Sequence, residues 1–133
     1  GNQTQATSFI GCNDEAKEKA LFAIDLAKKQ WPDIDQILDE LTVVCYDEAP
    51  RNNMECVFDW YGIGIYRPGT LQVEAEYIGE CLIEKSQHFN IWQKTSYVET
   101  CSDHAASCGW DDSVINTALE PFWVIYPQDN NES

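Results

Sequence analysis

Four glutamates at Glu74, Glu76, Glu80 and Glu84 and an Asp103-His104 pair between Ser102 and Ser107 are the groups whose types and spacing could do chemistry. Paired carboxylates support glycosidase chemistry when they lie roughly 5–9.5 Å apart and one sits in an apolar pocket that raises its pKa. Next-but-one glutamates on an exposed strand meet the spacing but not the pocket. An acid, a base and a hydroxyl support nucleophilic catalysis only when they converge from separate elements, and adjacent loop residues do not. Asp103, Asp111 and Asp112 lack the alternating Asp/Asn spacing and closing Glu of a calcium loop. The chain is therefore read as non-catalytic, without cofactor or metal.

Binding is the chemistry that remains. Trp110 stands in Cys108-Gly109-Trp110-Asp111-Asp112, a large aromatic beside two acids. An aromatic anchor with a charged rim is the usual composition of an interaction hot spot. Over the whole chain, 23 acidic residues stand against 8 basic, a formal net charge of −15. Such a surface repels nucleic acid and anionic lipid, which bind through Lys and Arg. It attracts basic proteins and speeds their encounter. The expected partner is a basic enzyme or toxin. The expected contact residues are Trp110, Asp111, Asp112 and Asp103, with Glu74 and Glu76 adding long-range attraction.

Six cysteines, Cys12, Cys45, Cys56, Cys81, Cys101 and Cys108, in 133 residues point to an oxidising compartment. No CxxC pair occurs, and His88 and His104 are the only histidines, so neither a thioredoxin-like motif nor a zinc site is indicated. Cys101 and Cys108 are expected to close a local loop. Cys56 can face either Cys45 across the preceding turn or Cys81 across the following hairpin. The favoured set is Cys56–Cys81 with Cys12–Cys45. Gly1 and the lack of an apolar leader are read as a mature periplasmic or extracellular chain from which a signal segment has been removed. No run is long and apolar enough to insert in a membrane.

The elements that must position these groups follow from periodicity. Residues 1–11 and 127–133 read as flexible tails of one domain spanning 1–133. Asn13 is a good N-cap, with Asp14 and Glu15 in the first turn, and Ala16, Ala20, Ile24, Ala27 and Trp31 recur at helical spacing until Pro32. A short second helix carries Ile34, Ile37, Leu38 and Leu41, and Thr42–Tyr46 follows as a strand.

Two β-rich runs then flank Pro68-Gly69, the pair a type II turn prefers. Centring a hairpin there pairs Trp60 with Tyr77 and Cys56 with Cys81. It also puts Leu71, Val73, Ala75, Tyr77 and Ile83 on a core face and the glutamates on a solvated one. Ser86–Asn90 reads as a connection, Ile91–Thr100 as a strand, and Pro121–Tyr126 as a last, fully buried strand.

The fold expected is α+β, a long N-terminal helix and a short second one packed on an antiparallel meander of four or five strands, stapled by disulfides. One helix followed by successive hairpins is similar to cystatin-like folds and to small bacterial inhibitor modules. The Gln-x-Val-x-Gly loop that cystatins insert into proteases is absent from the turns here. The inhibitor likeness implies an acidic surface and a projecting loop, here centred on Trp110, laid over a cationic cleft. The alternative function is a small-ligand carrier or enzyme. Its pocket would lie between the long helix and the curved sheet, lined by Trp60, Tyr77, Gly62 and Gly64.

Overall fold

A polar cap and an alanine stripe set the first helix. The structure, a computed structural model, describes residues 7–47, 56–61, 67–95 and 109–127. Helix α1 runs Asp14–Gln30, and Asn13 Oδ1 accepts the Ala16 N–H at 2.7 Å. Lys28 and Lys29 occupy its last turn, where the helix dipole favours cations. Ala16, Ala20, Ala23 and Ala27 are buried along one side, and side chains this small let neighbouring helices come close. Pro32–Ile34 forms a 3₁₀ turn, followed by the short helix α2, Asp35–Asp39. Ile34, Ile37, Leu38 and Leu41 are all buried there, as their spacing predicts.

These helices make a crossover between parallel strands. Strand β1, Ser8–Ile10, pairs in parallel with β2, Thr42–Tyr46. Parallel strands need a connection of a dozen residues or more, and α1 with α2 supplies it. The tail expected over residues 1–11 therefore gives way to sheet at Ser8. Cys12 bonds Cys45, tying the β1–α1 junction to β2, as expected.

The sheet is mixed, in the order β1-β2-β4-β3, and is not the antiparallel meander that the turn chemistry suggested. Strand β4, Arg67–Glu74, runs parallel to β2 and antiparallel to β3, Cys56–Tyr61. Cys56 lies opposite Val73, Phe58 opposite Leu71 and Tyr61 opposite Arg67. Pro68-Gly69 thus belongs to β4 rather than to a turn. Cys56 pairs eight residues earlier than the Pro-Gly register required. The helix-then-hairpins layout of cystatin-like folds does not describe this chain.

Beyond Glu74 the expected strand becomes helix. A 3₁₀ turn, Ala75–Tyr77, leads into α3, Ile78–Thr95. This helix takes in the segment expected as a connection and the start of the strand expected at Ile91–Thr100. Ile78, Leu82, Ser86 and Phe89 are fully buried at helical spacing. Cys56 still bonds Cys81, now between β3 and the first turn of α3.

The last apolar run is helical too. Helix α4 spans Asp112–Ile125 with Pro121 inside it. Ile115, Ala118, Leu119 and Phe122 face the core, while Val124 and Ile125 are 77% and 57% exposed, so this segment is not a buried strand. Helices α1, α3 and α4 pack on one another. The Phe122 ring lies against Phe22 of α1 and is ringed by Trp123 and Tyr126. No described helix is long and apolar enough to cross a membrane.

Candidate functional site

Helices α3 and α4 run antiparallel. At one end the two ends of the Gln87 side chain grip Asp111: Gln87 Oε1 accepts the Asp111 N–H at 3.0 Å and Nε2 donates to its carbonyl at 3.3 Å. At the other end Phe122 covers Gly79, where a Cβ would come within 2.2 Å of the ring's Cζ. Between the two contacts the helices leave a cleft of about 610 Å³. Buried Cys81, Ile115 and Leu119 form its floor, with the Cys56–Cys81 disulfide and Tyr77 at one end. Glu80, Glu84 and Lys85 of α3 and Asp112 and Asn116 of α4 supply the polar wall.

The spacing explains this wall. Glu80–Cys81 and Glu84–Lys85 are four residues apart and so share one face of α3, continued by Tyr77 of the preceding 3₁₀ turn, as do Asp112, Ile115–Asn116 and Leu119 on α4. Three carboxylates and one amine make the cleft net acidic. Burial pushes the Lys85 pKa below the ordinary lysine value, against the opposing pull of Glu84.

Asp112 lines the cleft as the first residue of α4, preceded by Trp110 and by Asp111 at the cap. Asp111 caps the helix: its Oδ1 accepts the Ser113 hydroxyl at 2.6 Å and the Ser113 N–H at 2.9 Å. Those bonds hold its carboxyl below the usual range, the hydroxyl being the larger cause. Trp110 Nε1 donates to Asp112 Oδ1 at 2.9 Å. The Trp110 ring is half-buried and tilted against buried His88, with centroids 4.7 Å apart. This segment is a clamped helix start seated on α3, not a free loop tip.

The other expected contact residues are dispersed. Glu74 ends β4, half-buried, and Glu76 is exposed in the 3₁₀ turn. Neither lines the cleft, whereas Glu80 and Glu84, expected on the same strand face, reach it from α3. Asp103, Cys101 and Cys108 lie outside the described residues, as do Gly62 and Gly64. The residues missed by sequence reasoning are Lys85 and Asn116. The signal for them was the four-residue spacing of Glu80 and Glu84, which is helical as much as extended.

A smaller depression of about 340 Å³ lies among Phe9, Leu21 and Ile24, where Lys28 Nζ is paired with Asp39 at 2.5 Å. Among the described residues no group of three or more His, Cys, Asp or Glu side chains is placed to hold a metal ion. Comparison with family models, curated proteins and solved structures returns no match.

Proposed function

We propose that this chain is an exported, acidic binding domain that recognises a basic protein, an enzyme or toxin, and inhibits it without catalysis of its own. The observation that carries the reading is the acidic α3–α4 cleft lined by Asp112, whose carboxylate accepts from the neighbouring Trp110. The net charge of −15 draws a cationic partner over distances that a single contact does not reach. Trp110 then offers a half-exposed aromatic face held in place by His88 and Asp112. Because it is already ordered, little side-chain entropy is lost on contact. Glu74 and Glu76 lie away from the cleft and contribute to attraction rather than to the contact. The Cys12–Cys45 and Cys56–Cys81 disulfides suit the periplasm or the extracellular space.

The test leaves Asp111 intact, since its carboxylate caps α4 and its loss would disturb the helix. A Trp110→Ala, Asp112→Asn variant keeps the cap and removes the aromatic and the charge. The expected result is loss of retention of a basic partner that the natural protein retains. Equal retention by the variant would overturn the assignment of this contact.

A further inference from the structure

The α3–α4 cleft has the size and the charge pattern of a small-molecule site. Its volume of about 610 Å³ falls within the roughly 300–1,000 Å³ that ligand pockets occupy. Its wall is not uniformly acidic. Lys85 stands among Glu80, Glu84 and Asp112, yet it enters none of the ion pairs among the described residues, which join Lys19 to Glu15, Lys28 to Asp39 and Lys29 to Asp25. An amine partly removed from water gains most from a bound anion. The carboxylates gain from a cation, and a simple diamine would satisfy them while adding like charge beside Lys85.

We propose that this cleft binds a zwitterion carrying a basic side chain, either a free cationic amino acid or the C-terminal basic residue of a peptide. The ligand carboxylate meets the Lys85 ammonium. The guanidinium or ammonium lies across the cleft against Glu84 and Asp112, with Glu80 deepening the negative wall. Asp112 keeps acceptor capacity for this, since Trp110 Nε1 occupies one of its roughly four lone-pair sites. The aliphatic stem rests on Ile115 and Leu119, and the Asn116 amide is placed to donate to the carboxylate or accept from the cation. The inference goes beyond the protein-partner reading and does not depend on it.

The experiment is calorimetric titration of the purified protein with arginine, with agmatine (which lacks the carboxylate) and with the tripeptide Gly-Gly-Arg. Backbone NMR shifts at Asn116 and Leu119 locate the site. Arginine is expected to bind and to shift those two residues, and agmatine to bind about tenfold more weakly, a difference of about 1.4 kcal/mol. Gly-Gly-Arg binding as well as arginine identifies a peptide C-terminus as the source. Arginine binding alone identifies the free amino acid. Lys85→Met is expected to erase the preference for arginine over agmatine. If that variant does not fold, Glu84→Gln, at an exposed position, is expected to weaken both ligands together. Agmatine binding as tightly as arginine, shifts confined to residues outside the cleft, or no response at millimolar arginine would each overturn the proposal. These ligands are small and pure, so that failure leaves the protein-partner reading standing.

Discussion

Replacing Gly79 by alanine reverses the usual sign of that substitution. At an ordinary helical position glycine to alanine stabilises by about 1 kcal/mol, because alanine loses less backbone entropy. Here the added methyl would come within 2.2 Å of the Phe122 Cζ. That ring is 3% exposed and hemmed in, with Phe22, Trp123 and Tyr126 at centroid distances of 6.1, 5.2 and 5.0 Å. These three rings oppose its retreat. Overpacking of this kind costs about 1–3 kcal/mol, and outright eviction of the ring would cost about 3–5 kcal/mol. Allowing for the helix-propensity gain, we expect a net loss of about 2 kcal/mol. In urea that is a fall of roughly 1 M in the midpoint at a typical denaturant slope. The companion measurement is the same substitution in a Phe122→Ala background. With the ring gone the clash is gone, and Gly79→Ala should there be neutral or stabilising. A natural-background Gly79→Ala that is more stable than the parent would refute the packing of α4 on α3, and with it the cleft between them.

Three further outcomes follow from the same structure. Cys12 and Cys45 are 33 residues apart in sequence and Cys56 and Cys81 are 25 apart, so loop-closure entropy assigns each bridge about 3.5 kcal/mol. Serine replacement of either pair should therefore lower the thermal midpoint by similar amounts, and a pair whose removal leaves the midpoint unchanged would contradict its assignment. Replacing Asn13 by alanine removes the cap on the Ala16 N–H. It should destabilise by about 1 kcal/mol in urea, and an unchanged midpoint would remove the cap from the account. Raising the pH from neutral toward the ordinary lysine value should stabilise the fold through Lys85, whose folded-state pKa is depressed by burial. In that window the unfolded chain binds more protons, so the slope is positive. Lys85→Met should abolish its share of that slope, and an identical profile in the variant would refute the burial of the amine.

The part of the fold set by local chemistry was legible. Asn13, the alanine stripe, the terminal lysines and Pro32 all specify α1 independently, and they agree with one another. The parts set by competition between periods were not. Glu76, Glu80 and Glu84 are spaced by four, which satisfies strand alternation and the helical repeat alike, and the true strand preceding them biased the choice. Length would have arbitrated, because a run from Leu71 to Lys85 is longer than most strands. Pro68-Gly69 carries turn chemistry, but pairing of β4 with both β2 and β3 overrides that local preference. Pro121 argued against a helix interior. Yet Asp111 as cap and Ile115, Ala118, Leu119 and Phe122 at helical spacing were the stronger pattern.

The candidate cleft was invisible for the same reason. It exists only once residues 78–95 and 112–125 are both helices, which brings Glu84 and Lys85 beside Asp112 and Asn116. The pairings Cys12–Cys45 and Cys56–Cys81 were anticipated, though the second joins a strand to a helix rather than two strands. The partner assignment rests on charge and on the site, and both are open to a direct trial.

That trial is affinity capture with the natural protein and the Trp110→Ala, Asp112→Asn variant immobilised side by side. Both are exposed to the secreted or periplasmic extract of the source and eluted with a salt gradient. A basic protein is expected on the natural chain, released as salt screens the charges, and absent from the variant. Retention of the same proteins by both, or of none by the natural chain, would contradict the partner assignment.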